Sequence, residues 1–207
     1  MEETYDRARY VLVVRLPRQV EVRIEDAYLV LAGTTKPVMG YHISLLGPFH
    51  VPDEADSQFL ANIGAVCRRW QPFHLHIAGL GTFIARDDNV VYLNVADPDN
   101  IMALHRDLLE ATHGQLMPQS DRHREWSFER YHPHVTLGLR LSDRELQQFL
   151  PMALGSELGE TFQVTCISLA EQTPHGPWHY MTEYPLGSPA PGATPDPPCA
   201  SDRDLLA

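Results

Sequence analysis

The sequence predicts an α+β fold built as two pseudo-symmetric lobes. Three observations carry that reading. β-rich runs alternate with amphipathic helical segments along the chain. The chain also aligns with itself at a period of 92 residues, far longer than a solenoid repeat. Finally, each half holds one His-x-(Ser/Thr)-Leu motif, His42-Ile43-Ser44-Leu45 and His134-Val135-Thr136-Leu137.

The elements follow in order. Residues 10–16 (YVLVVRL) read as a buried strand closed by Pro17. A helix over 19–31 and a strand over 41–47 come next. Residues 53–70 place Phe59, Ile63, Val66, Cys67 and Trp70 on one helical face. Strands over 73–80 and 90–95 flank the turn-like segment 86–89. Asp97 is the expected N-cap, and Pro98 the first residue, of a helix running to about 112. Residues 113–131 read as a long polar loop and 134–141 as a strand. Ser142 and Glu145 form a capping box that opens a helix to 150. Strands over 162–169 and 178–184 close the body.

The repeat rests on landmarks in matching order. From His42 to Phe73 is 31 residues, and from His134 to Phe162 is 28. From Phe73 to Tyr92 is 19, and from Phe162 to Tyr180 is 18. Residues 1–184 are expected to form one domain of two intertwined lobes. Residues 185–207 hold six prolines in 23 positions and lack apolar periodicity, so a disordered tail is expected there.

Composition excludes several classes. The chain has 207 residues, 43% hydrophobic and 21% charged, which suits a folded domain. Its 16 basic and 27 acidic residues give a net charge of −11. That balance argues against tracking along long nucleic acid, but not against a small phosphate ligand. No apolar run approaches ~18 residues, so no membrane partner is expected. Met1-Glu2-Glu3-Thr4 lacks the start of a signal peptide. Cys67, Cys166 and Cys199 are odd in number and show no C-x-x-C spacing, so neither a disulfide framework nor a cysteine zinc site is expected. The expected state is a cytoplasmic monomer.

The two motifs carry the chemistry. Strand side chains alternate faces, so His42 and Ser44 point one way and Ile43 and Leu45 the other. The same holds for His134 and Thr136 against Val135 and Leu137. Two histidines divide acid and base work near neutrality, and two hydroxyls donate to phosphate oxygens. No metal or other cofactor is needed. His74 and His76 lie two apart on a strand, yet no further ligand accompanies them. His132 is expected at the rim, cut off from the strand by Pro133. The loop cations Arg122, Arg124 and Arg130 stand beside Trp126 and Tyr131, and Asp121, Glu125 and Glu129 balance them.

These motifs resemble the paired H-x-(T/S)-h motifs of the 2H phosphoesterase superfamily. Segment 41–54, segment 73–83 (FHLHIAGLGTF), Val91-Tyr92-Leu93 and segment 132–137 are similar to its bacterial 2′–5′ RNA ligase/2′,3′-cyclic phosphodiesterase branch. The resemblance spans roughly 10–186. It implies antiparallel sheets flanked by helices, with the site in the cleft between lobes. It also implies hydrolysis of 2′,3′-cyclic phosphates on RNA ends or nucleotides to 2′-phosphates. By carry-over, His42 is the acid toward the leaving 3′-oxygen, His134 the base toward water, and Ser44 and Thr136 hold the phosphate. Ser44 departs from the more frequent threonine but keeps the hydroxyl. Phe49, Arg130 and Tyr131 are candidate substrate contacts, Phe49 being equally compatible with the core. Two alternatives stay open: 2′–5′ joining of RNA ends, and a non-catalytic nucleotide- or RNA-binding module.

Overall fold

The computed structural model describes residues 7–28, 37–52, 56–120, 124–125, 129–153 and 158–187. Among these, nine strands form one sheet: β1 (Arg9–Arg15), β2 (His42–His50), β3 (Phe73–Phe83), β4 (Asn89–Val95), β5 (Met117–Pro118), β6 (His134–Leu141), β7 (Gly159–Val164), β8 (Cys166–Gln172) and β9 (Trp178–Pro185). Four helices accompany them: α1 (Arg18–Ala27), α2 (Asp56–Arg69), α3 (Asp99–Ala111) and α4 (Asp143–Ala153). The expected helix positions 29–31 lie outside the described residues.

The strand order is β7-β3-β4-β6-β2-β1-β8-β9, with β5 paired to β2. Every pairing is antiparallel. The order is palindromic about the β6–β2 junction. β2 answers β6, β1 answers β4, β8 answers β3 and β9 answers β7. The halves meet at the pair Ile43↔Val135. Each lobe is composite, because β4 from the first half of the chain pairs with β6 from the second, and β8 from the second pairs with β1 from the first.

Two sequence expectations change here. The run 162–169 is two strands, not one: β7 pairs with β3, and β8 pairs with β1 at the other side of the molecule. Phe73 on β3 is therefore not the symmetry mate of Phe162 on β7, nor is Tyr92 on β4 the mate of Tyr180 on β9. The duplication lies in the motif strands and the sheet order.

One face of the sheet carries the core. Val20 and Ile24 of α1, Phe59 and Ile63 of α2, Ile101 and Leu104 of α3, and Leu146 and Phe149 of α4 join Leu12, Ile43, Leu45, Leu93, Val135 and Leu137 in a single cluster. The expected capping box opens α4, with Ser142 Oγ and Glu145 Oε2 2.7 Å apart. Asp97 is not the cap of α3; Pro98 occupies that position and no side chain caps the helix. Leu186 is buried in the core, and the amide of Gly187 donates to the Cys67 carbonyl at 3.1 Å. Residues 188–207 lie outside the described residues. Cys67 is a buried free thiol whose pKa burial pushes up to about 12. Cys166 is disulfide-bonded, contrary to the expectation from the odd cysteine count.

Candidate active site

The site lies on the sheet face opposite the core, where β2 and β6 meet. Ile43 and Val135 pair antiparallel. One residue further along each strand, that register sets His42 across from Thr136 and Ser44 across from His134. Each histidine thus stands beside the hydroxyl of the other motif. All four side chains are half-buried, whereas Ile43, Leu45, Val135 and Leu137 are buried. The alternation expected from the sequence holds in both strands.

The two histidines are held alike. His42 Nδ1 lies 2.9 Å from the Gly40 carbonyl, and His134 Nδ1 lies 2.7 Å from the His132 carbonyl. A carbonyl only accepts, so each Nδ1 carries the proton. Each neutral ring therefore keeps the Nε2 lone pair for another partner. Burial lowers the pKa of His42. Burial also lowers that of His134, to about 4, with His132 and His42 adding to the shift. The influence of His42 on His134 accords with the diagonal placement set by the register.

Gly40 is set from α1. Its φ is +74°, and a Cβ there would meet Glu21 Oε1 at 2.8 Å. That same oxygen accepts from the Tyr41 amide at 3.0 Å. Glu21 thereby holds the peptide whose own carbonyl orients His42.

Further side chains join the site that sequence reasoning did not single out for it. Tyr92 pairs with Thr136, and Asn94 with His134, across β4 and β6. The Tyr92 ring is 5.0 Å from His134 and 4.4 Å from Phe83, which lies 5.2 Å from His134 edge-on. A Cβ on Gly81 would fall 2.4 Å from the Tyr92 ring, so glycine is what lets that ring lie down. His132, expected at the rim, completes the aromatic wall at 5.5 Å from Tyr92. In the other lobe, Arg15 pairs with His42 across β1 and β2. Its guanidinium sits 4.4 Å over the Tyr180 ring and 3.4 Å from Glu183. The available signal for Arg15 was a single cation within the otherwise apolar run 10–16.

The other sequence candidates divide. Phe49 is fully buried, 6.3 Å from Tyr10 and 5.5 Å from Phe59. It belongs to the core and not to a substrate surface. Tyr131 turns its hydroxyl to the Ser44 carbonyl at 2.9 Å and stacks on His105 at 3.9 Å. It therefore supports β2 instead of presenting its hydroxyl to the cleft, and burial pushes its pKa up. Arg130 is exposed and pairs with Glu125 at 2.9 Å. Arg122 and Trp126 lie outside the described residues. His76 binds Thr161 at 2.9 Å, and among the described residues no three His, Cys, Asp or Glu side chains converge as metal ligands.

Comparison with known proteins agrees with this architecture. Residues 17–175 match the model of the 2′-5′ RNA ligase superfamily. A Bacillus cereus (strain G9842) protein with a provisional name as a phosphoesterase is 28% identical over 146 residues, covering 70% of this chain and 78% of that protein. A Bacillus mycoides (strain KBAB4) protein with a like name is 27% identical over the same length and coverage. Among solved structures, TT0787 of Thermus thermophilus superposes with a TM-score of 0.64 at 19% identity, covering 86% of this chain and 97% of that one. E. coli LigT, crystallised with 3′-AMP, superposes with a TM-score of 0.60 at 16% identity, covering 87% and 99%. These likenesses show the fold. The family match over three-quarters of the sequence shows more: the chain belongs to the 2′-5′ RNA ligase superfamily of 2H phosphoesterases.

Proposed function

We propose that the protein is a metal-independent phosphodiesterase that opens 2′,3′-cyclic phosphates on RNA ends or nucleotides to 2′-phosphates. One observation carries this reading. Two strand-borne histidines donate Nδ1–H to the carbonyl two residues before them, so both offer Nε2 on one polar face beside a hydroxyl. That pair supplies one proton acceptor and one proton donor on opposite sides of a phosphorus atom.

The step is an in-line displacement. His134, kept neutral by burial, takes a proton from water through Nε2 as the oxygen attacks phosphorus. The bond from phosphorus to O3′ breaks, and His42, protonated when the phosphate anion is bound, gives its Nε2 proton to that oxygen. Water adds across one P–O bond and the product carries a 2′-phosphate and a 3′-hydroxyl. Ser44 and Thr136 donate to the non-bridging oxygens, where charge must be held. Arg15, paired with Glu183 and braced by Tyr180, stands beside His42 as a further contact for a phosphate oxygen. Phe83 and Tyr92 offer a flat apolar surface for the base. The crystallisation of LigT, which shares this fold, with 3′-AMP and with phosphate supports a phosphorylated nucleotide as ligand.

A panel of 2′,3′-cyclic mononucleotides tests the proposal, with 2′- and 3′-phosphate products resolved and excess chelator present. The expected result is 2′-phosphate formation that chelator leaves intact. Turnover that stops on chelation and returns with a divalent ion overturns the two-histidine reading.

A further inference from the structure

The cleft face does not end at His42. It continues along β1, β8 and β9, where Arg9, Val11, Val13 and Arg15 share the side of β1 that carries the pairs Val13↔Ser44 and Arg15↔His42. Val11, Val13 and Ala170 form a small buried apolar floor, with Trp178 and Tyr180 packed against it. Two arginines flank this floor, and each lies over an aromatic ring. Arg15 sits over Tyr180 at 4.4 Å and Arg9 over Trp178 at 5.7 Å. Six residues separate them on one strand, about 20 Å at the usual rise. Arg9 also contacts Gln172, and beyond it opens a recess of about 380 Å³ lined by Arg7, Arg9, Gln119, Gln172 and His175. The turn bearing His175 is fixed by the bond from Gln172 Nε2 to the Gly176 carbonyl at 2.9 Å.

We propose that this face is a subsite for the single-stranded chain on the 5′ side of the reacting RNA end. Guanidinium groups braced over rings, Arg15 also by Glu183 and Arg9 by Gln172, have little freedom left to lose on meeting a phosphate. The half-buried rings of Trp178 and Tyr180, packed on the apolar floor, offer stacking surface to bases of any sequence. A protein of net charge −11 has no general attraction for polyanions, so a lane holding Arg7, Arg9 and Arg15 is a local exception. Among the described residues, Glu183 is bound to Arg15 on the lane and Glu21 acts on the Tyr180 hydroxyl from α1; Glu171 turns to Tyr10 on the other side of the sheet. The lane accommodates more than one nucleotide. It therefore favours short oligonucleotide ends over free cyclic mononucleotides.

This subsite rests on the proposed reading of the site for its polarity, but its test does not need turnover. A 5′-labelled uridine tetranucleotide ending in a 2′-phosphate is titrated against the full chain by fluorescence anisotropy, with uridine 2′-phosphate as competitor. The tetranucleotide is expected to bind on the order of tenfold tighter than the mononucleotide, the effect of one stacked base. Arg9→Gln should shrink that ratio and make the slope of log K against log salt shallower by about 0.7, one phosphate contact. Trp178→Leu should shrink the ratio without changing the slope. Equal binding of the two lengths, or a ratio that survives both substitutions in folded protein, overturns the subsite. If cyclic mononucleotides turn over and length is irrelevant, the subsite falls and the chemistry stands. If length governs binding but no cyclic phosphate is opened, the reverse holds.

Discussion

Tyr131 donates its hydroxyl to the backbone carbonyl of Ser44 at 2.9 Å, tying the lead-in of the second motif strand to the first motif. His105 lies stacked beneath the same ring and binds the next carbonyl, that of Leu45, at 2.8 Å. The carbonyls of Ser44 and Leu45, just past Ile43↔Val135, are thus met by the side chains of Tyr131 and His105. Tyr131→Phe should lower kcat roughly three- to tenfold through misplacement of Ser44, with KM little changed. It should cost about 1 kcal/mol of stability. A loss of melting temperature with kcat intact would make Tyr131 a packing residue only.

His42→Ala and His134→Ala should each lower kcat/KM on the order of 10²–10⁴. The double variant should be little worse than the worse single, because the two act as a unit. Melting temperature should hold in all three, since Ile43, Leu45, Val135 and Leu137 carry the core side of these strands. Near-normal turnover in either folded single variant would remove the histidine from the mechanism.

The pH response has a defined sign. Burial holds His42 below the ordinary value of 6.5, and holds His134 at about 4. Between those values the unfolded chain binds more protons than the native one, so stability from His134 is complete above pH 6.5 and is lost as pH falls toward 4. Calorimetry from pH 7 to 5 should show a falling melting temperature, and His134→Asn should flatten that fall. The acid limb of kcat/KM should likewise lie below 6.5. An acid limb above neutrality would contradict the burial of these rings.

Phe49→Ala should destabilise the protein by about 3–5 kcal/mol, the range for a buried phenylalanine. Phe49→Leu should fold with an unchanged KM. Phe83→Ala should do the opposite, raising KM for a cyclic nucleotide with a small effect on stability. Denaturant titration and steady-state kinetics on the same samples separate the two phenylalanines.

What the sequence revealed was local. The two-residue period of His42 and Ser44 and the capping box at Ser142 are written in neighbouring residues, and both appear in the structure. What it hid was set by distant partners. β1–β2 pairing shifts register twice, between Val13↔Ser44 and Leu12↔Leu46 and again before Tyr10↔Phe49, so Phe49, seven positions past His42, keeps the core side. Leu45 and Leu46 are both buried as a result, so strict alternation fails between them. Arg15 and Tyr180 meet only because β8 lies between their strands. The same is true of the break at Thr165, where two runs of equal β character pair with strands on opposite sides of the sheet.

That crossing at Thr165 governs how the chain reaches its native state. β1 is made first, yet one of its two neighbours is β8, and Arg9 pairs with Gln172. At 5–20 residues per second, roughly 8–30 s of synthesis separates the two strands. Throughout that interval the apolar run 10–14 has one edge uncovered. Such long-range closure makes for slow folding and a nascent chain open to mispairing. Neither half of the sequence, expressed alone, contains a complete lobe, so splitting the gene at the repeat boundary should yield two insoluble fragments that recover a fold only when they are produced together.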